Sequence, residues 1–169
     1  MVYSNEYEQV RHLYKKDIRA VMSLIQQSVR SEELVRRTRA EILADIDAYW
    51  VLEIDRHIVG CVAMYPYPEQ KMAELACLYV SRSNENQGLG RKLMSFVENQ
   101  ARQRGFSKLI ALSTQAFVYL QQKGGFTEAG PEILPPVRRA KYESSGRNSR
   151  ILAKNLAPVP VPVVAAMSH

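Results

Sequence analysis

Cysteine is scarce: two in 169 residues, Cys61 and Cys77, and no C-x-x-C spacing. That argues against a disulfide framework, and both thiols lie in apolar, strand-like runs. They read as reduced core residues of a cytoplasmic protein. Histidine is nearly as rare. His12, His57 and His169 fall on a strand, a turn and the terminus, without a ligand or triad partner at usable spacing, so no metal is expected. No apolar stretch reaches the roughly 20 residues a membrane helix requires. The opening MVYSNEYEQVRHLYKK is charged and lacks the apolar stretch of a secretion signal. Long Lys/Arg runs interleaved with aromatics are missing too, which disfavours nucleic acid even at a net charge of +6. A small anionic ligand suits that charge better. Self-association is left open.

What is present is enough apolar residue, 46%, to fill one core in a chain of single-domain length. Residues 9–15 read as a first strand, and Asp17 as the cap of a helix carrying Ile18, Val21, Met22, Ile25 and Val29. Thr38, with Glu41 three residues on, has capping-box spacing before a second helix whose stripe is Ile42, Leu43 and Ile46. Tyr49–Ile54 and Ile58–Tyr65 form a hairpin around Asp55-Arg56-His57. Pro66, Pro68 and the charged EQK mark a turn before a strand over Met72–Val80. After the loop SRSNENQ, a helix opens at Gly88-Leu89-Gly90, buries Leu89, Leu93, Met94, Val97 and Ala101, and stops at Gly105.

Lys108–Leu112 is a buried-type strand, and Ser113–Lys123 holds a short helix ended by Gly124-Gly125. Phe126 starts another strand, ILPPVRRAKYESSG reads as a loop with room for a helical turn, and Ser149–Leu156 closes the fold. The order β-α-α-β-β-β-α-β-α-β-β implies one α/β domain over residues 1–156, a mixed, mostly antiparallel sheet flanked by helices. Residues 157–169 form a Pro/Val-rich tail expected to be flexible.

The strongest local signal is strand Leu75–Val80, its loop, and Gln87-Gly88-Leu89-Gly90-Arg91. A helix N-terminus presents unpaired N–H groups and a positive dipole end, and glycines let phosphate oxygens approach them. Together with K-L-I-A-L-S-T and G-G-F, this run resembles the GNAT acetyltransferase superfamily along residues 9–156. The resemblance implies a GNAT fold with splayed fourth and fifth strands and acetyl-CoA as cosubstrate. Leu78 to Val80 would pair with the pantetheine, and Asn86, Gln87, Gly88, Leu89, Gly90 and Arg91 would hold the pyrophosphate. The family has Arg or Gln and then Gly where this chain has Glu85 and Asn86. A carboxylate there is unfavourable unless it points to solvent.

V-R-R-T-R, Y-P-Y-P-E-Q-K-M-A-E-L-A-C-L and G-R-N-S-R-I-L resemble, more narrowly, the acetyltransferase domain of the N-acetylglutamate synthases. That resemblance implies L-glutamate as substrate and arginine biosynthesis as context. Arg37, Arg147 and Ser149 would bind the glutamate carboxylates, Glu74 would be general base through water, and Ser113 an acid or oxyanion-side donor. The chemistry independently asks for such groups. An amine arriving as ammonium must lose a proton before attack, and a carboxylate can take it. Backbone donors near Cys77 and Leu78 could meet the oxyanion. Two arginines suit the two carboxylates of glutamate in forked geometry. The rival readings are a GNAT enzyme for another amine, such as a protein N-terminus or another amino acid, and a non-catalytic acyl-CoA-binding regulatory domain. Tyr119 reads as a packing residue.

Overall fold

The computed structural model describes residues 7–28, 37–114, 116–146 and 148–159. Seven strands form one sheet in the order β1-β2-β3-β4-β5-β7-β6. They are β1 (Glu8–His12), β2 (Tyr49–Ile54), β3 (His57–Tyr67), β4 (Met72–Val80), β5 (Lys108–Ser113), β6 (Thr127–Ala129) and β7 (Arg150–Asn155). Every neighbouring pair is antiparallel except β4 and β5, which run parallel. The helices are α1 (Ile18–Ser28), α2 (Arg39–Ala44), α3 (Leu89–Gln103), α4 (Phe117–Gly124) and α5 (Pro136–Ser145).

The β2–β3 hairpin turns at Asp55 and Arg56, both with positive φ (49° and 70°). Two consecutive left-handed residues make a primed turn whose twist matches the strands. Tyr67 extends β3 through Pro66, two residues beyond the expected end. Thr38 caps α2 as its spacing predicts, its hydroxyl accepting from the Glu41 N–H at 3.1 Å. In the stripe read for α2, Ile42 is buried and Leu43 is not: at 39% exposed it faces water. A six-residue helix has room for one inward turn.

Two expectations fail more clearly. Asp17 does not project forward over α1. Its carboxylate turns back to accept from the Tyr14 N–H (2.8 Å) and from both terminal nitrogens of Arg11 (2.8 and 3.1 Å). The stretch 133–146, expected as a loop, contains a ten-residue helix, α5. Pro136 stands at its first turn and Gly146 ends it with φ of 66°, the proline-start, glycine-stop asymmetry of a helix.

One face of the sheet packs under α3 and α4. There Leu89, Leu93, Met94, Val97 and Ala101 meet Leu52, Val62, Ala73, Leu75, Leu109 and Leu152. The other face is covered in two patches. Ile18, Val21, Leu24, Ile25 and Ile42 of α1 and α2 cover Tyr49, Val51, Cys61 and Ala63. A smaller cluster of Ile110, Ile151 and Leu134 gathers Tyr142 of α5 with Tyr67 and Met72. Between those patches lies the line along which the functional side chains meet.

At the far edge, Arg11 joins Asp17 (2.8 Å) and Glu53 (2.7 Å) in a largely buried triad. Burial works against the Asp17 carboxylate, but the Arg11 fork and the Tyr14 N–H outweigh it and hold its pKa below the usual carboxylate value. The Arg11 hydrogen bond lowers Glu53 as well. Depressed folded-state values stabilise the fold above the ordinary carboxylate range and stop doing so as acid protonates both groups. The melting temperature should therefore hold near neutrality and fall as pH drops from about 5 toward 3. Arg11→Met should lower the neutral-pH melting temperature and flatten that acid limb. An acid limb as steep as in the unmodified protein would show that other carboxylates control it.

Candidate active site

β4 and β5 keep register for three residues only: Met72 with Lys108, Ala73 with Leu109, and Glu74 with Ile110. From Leu75 onward β4 has no partner on β5, while β5 continues paired with β7 through Ser113. The strands splay, as the GNAT resemblance implies. On its other edge β4 carries a bulge. Cys61 faces Tyr79 and Ala63 faces Ala76, so β4 spends one residue more than β3 over that stretch. Cys77 adopts φ of 53° within it, and Cys77 and Leu78 take no register partner on β3. The bulge sends Ala76 and Cys77 to the α1/α2 face together, and returns Leu78 and Val80 to the face under α3.

α3 begins at the wide end of the splay. Gly88 is its N-cap with φ of 77°, and the amides of Leu89, Gly90 and Arg91 form its first turn. Asn86 also has positive φ, 65°. The backbone conformation that the family glycine supplies is therefore kept here by Asn, the side chain type that best tolerates it. Glu85 is exposed, so its carboxylate points to solvent and the departure leaves the anion-facing amides intact. A Cβ on Gly90 would lie 2.4 Å from the Tyr119 hydroxyl. Tyr119 of α4 thus packs its oxygen onto the first turn of α3, which is why glycine is needed at 90. Burial raises the Tyr119 pKa and Arg91 opposes the rise.

An Asn86→Ala variant should cost about 1–2 kcal/mol of loop conformation. If this turn holds the coenzyme as the resemblance implies, that should appear as a coenzyme A affinity roughly five- to thirty-fold weaker, whereas Asn86→Gly should bind as the unmodified chain does. Equal weakening in both variants would mean that the Asn side chain, not the backbone, is at work.

Glu74 lies at the apex of the splay, 6% exposed, directly across from Tyr65 on β3. Its Oε1 accepts from the Tyr67 hydroxyl at 3.1 Å and from Arg138 Nε at 2.7 Å; Oε2 accepts from an Arg138 terminal nitrogen at 3.3 Å. At that same register position, Arg37 donates to the Tyr65 hydroxyl at 2.8 Å, and that hydroxyl donates to Asp45 at 3.1 Å. Tyr65 and Tyr67, two apart on one strand, share a face, one beside the candidate substrate arginine and the other on the candidate base. Burial pushes the Tyr65 pKa up to about 12, against the pull of Arg37. Burial likewise raises the Cys77 thiol, again opposed by Arg37, and its sulfur accepts from the Tyr49 hydroxyl at 3.5 Å.

Ser113 closes β5, and its Oγ accepts from the Ala116 N–H at 2.8 Å, a turn-capping bond. Ser149 directly precedes β7, and its carbonyl accepts from the Tyr142 hydroxyl of α5 at 3.2 Å. Arg147 lies outside the described residues. The structure thus gathers Arg37 and Glu74 on one sheet face and places Gly88–Arg91 at the opposite helix end. It adds Tyr65, Tyr67, Asp45 and Arg138, which the sequence reading did not single out. The Y-P-Y alternation facing Glu74 carried a signal for the tyrosines. Arg138 was hidden by the missed helix. Among the described residues, no three His, Cys, Asp or Glu side chains gather as a metal site would require.

The acetyltransferase (GNAT) family profile matches residues 8–121. An amino-acid acetyltransferase of Serratia proteamaculans (strain 568) is 36% identical over 146 residues, 86% of this chain and 33% of that protein. One from Yersinia enterocolitica is 35% identical over the same span. The chain covers about a third of the length of these relatives. Among solved structures, N-acetylglutamate synthase from Neisseria gonorrhoeae, complexed with coenzyme A and N-acetyl-glutamate, superposes with a TM-score of 0.84 at 33% identity. The match covers 89% of this chain and 35% of that one. The ribosomal-protein-S18-alanine N-acetyltransferase from Escherichia coli, at TM-score 0.67 and 18% identity over 92% of this chain and 98% of that one, shares the fold alone. With the splayed β4 and β5, the bulge and the glycine-capped α3 all in place, this chain belongs to the GNAT acetyltransferase family.

Proposed function

We propose that the chain transfers acetyl from acetyl-CoA to the α-amino group of L-glutamate, giving N-acetyl-L-glutamate, by direct attack in a ternary complex. The observation that carries this reading is that Glu74 lies directly across from Tyr65 and Arg37 donates to that same tyrosine, which brings the candidate base and the candidate substrate arginine to one sheet face at the apex of the splay. The relatives named amino-acid acetyltransferase and the N-acetylglutamate synthase structure support the substrate class.

In this reading Arg37, with Arg147 and Ser149, holds the two carboxylates, and the forked guanidinium fixes both angle and distance. Glu74 takes the ammonium proton through water, leaving the nitrogen lone pair free. Amides at the bulge around Cys77 and Leu78 face the oxyanion that forms on attack. The first turn of α3 anchors the pyrophosphate, and Leu78 to Val80 line the pantetheine. Ser113 is placed to donate a hydrogen bond, either to the departing thiolate or on the oxyanion side; the thiolate needs little help because a thiol pKa is near about 8.5. The raised Cys77 thiol is protonated at neutral pH, which favours direct transfer over an S-acetyl enzyme. Arginine biosynthesis would be the consuming context.

The test is thiol release from acetyl-CoA across a panel of free amino acids, peptides with free N-termini included. Turnover with glutamate above all others supports the reading. Turnover with another amine moves the substrate while keeping the base. Coenzyme binding without any turnover favours a regulatory domain.

A further inference from the structure

The candidate base is occupied. Glu74 accepts three hydrogen bonds, from Tyr67 and twice from Arg138, so both carboxylate oxygens are engaged before any substrate arrives. A carboxylate with three donors has little lone-pair capacity left for the water or ammonium it must deprotonate. The element that brings Arg138 is seated lightly. No residue of α5 is buried, Val137 is 79% exposed, and only Arg138 and Tyr142 of its ten residues turn inward from the surface. The two are one turn apart, Arg138 on Glu74 and Tyr142 on the carbonyl of Ser149. One face of one helix thus touches both the candidate base and a candidate substrate residue. With so little apolar burial holding α5, local rearrangement there costs less than anywhere under α3.

We propose that Arg138 is an exchangeable clamp: it releases Glu74 to bind a carboxylate of the incoming acidic amino acid, so the base is freed only when a substrate with a second negative charge is in place. This rests on the reading of the chain as an amino-acid acetyltransferase and deepens it into a source of specificity. The exchange trades one arginine–carboxylate fork for another, so the guanidinium is never left buried without an anion. A neutral amino acid brings only its α-carboxylate, which Arg37 holds in this reading; without a side-chain carboxylate to trade for, Arg138 keeps Glu74.

The experiment compares L-glutamate with L-glutamine, its neutral isostere, in steady-state kinetics of the unmodified chain, Arg138→Lys and Arg138→Met, with melting temperatures alongside. The glutamate-to-glutamine ratio of kcat/KM should fall about 10- to 100-fold in Arg138→Met, the worth of one lost charge-assisted contact. Glutamine turnover should rise, because the base is no longer held. Arg138→Lys, with charge but no fork, should fall between. A ratio unchanged in Arg138→Met, with only a lower melting temperature, overturns the clamp and leaves a structural ion pair. If Arg138→Met does not fold, N-acetyl-L-glutamate is titrated into Arg138→Lys; weaker binding than in the unmodified chain supports the clamp and equal binding overturns it. Should the unmodified chain acetylate aspartate rather than glutamate, the glutamate reading fails. The clamp then stands if Arg138→Met loses preference for aspartate over asparagine. A preference for neutral amines overturns both.

Discussion

Glu74→Gln is expected to lower kcat by about 10²- to 10⁴-fold, the range for losing a positioned proton acceptor. The amide keeps the shape of the side chain and can still accept from Tyr67, but it cannot take a proton from the ammonium. The substitution also removes the charge opposite Arg138, whose side chain is only 18% exposed. Because that guanidinium retains some access to water, the stability loss should be about 1–3 kcal/mol rather than the cost of a fully stranded charge. Acetyl-CoA binding should survive, since α3 and its first turn pack on the other face of the sheet. The decisive comparison is single-turnover acetyl transfer at saturating substrates, with coenzyme affinity measured separately. A rate within tenfold of the unmodified chain would remove Glu74 from the proton path. Weakened coenzyme binding alone would recast it as a strut of the splay.

Arg37→Ala should raise the KM for glutamate roughly 10- to 100-fold, as expected when one or two charge-assisted hydrogen bonds are lost. Coenzyme affinity should move little, because Arg37, just ahead of the α2 cap Thr38, bonds to Tyr65 on the α1/α2 face, whereas the first turn of α3 packs on the other face of the sheet. Tyr65→Phe gives the internal check. It removes the hydroxyl that Arg37 and Asp45 share but leaves the guanidinium, so its effect on KM should be smaller and in the same direction. Equal losses for glutamate and acetyl-CoA in Arg37→Ala would argue that the residue holds the fold and not the substrate.

Much of this was legible in the sequence because local rules and tertiary outcome agreed. Alternation between Tyr49 and Val80 gave three strands nearly to the residue, and 3.6-residue spacing from Leu89 to Ala101 gave the buried face of α3. Thr38 and Glu41 marked a helix start that the structure keeps. The misses have separate causes. Asp17 was read for a local role, whereas Arg11, six residues back, binds its carboxylate across the strand edge. α5 has almost no apolar periodicity, since its inward face is an arginine and a tyrosine, so hydrophobic patterning could not reveal it. Only the Pro136-to-Gly146 punctuation spoke for it. With that helix went Arg138, and with Arg138 the fact that Glu74 is not a solitary carboxylate. Motif resemblance located the base; it was silent on what the base touches.

The three-residue joint between β4 and β5 has a thermodynamic consequence as well. Beyond it the sheet is two half-sheets, β1–β4 and β5–β7, joined chiefly through the core they share under α3. From Leu75 onward the edge of β4 that faces β5 has no strand partner, so under the proposed function a pantetheine arm bonding there would complete the sheet. Folding and cosubstrate binding then become linked equilibria: at a hundred times its dissociation constant, such a ligand adds about 2.7 kcal/mol to the stability of the whole. Under the proposed function the acyl donor would then be part of the fold's own cohesion, and a melting temperature that rises with its concentration would report it.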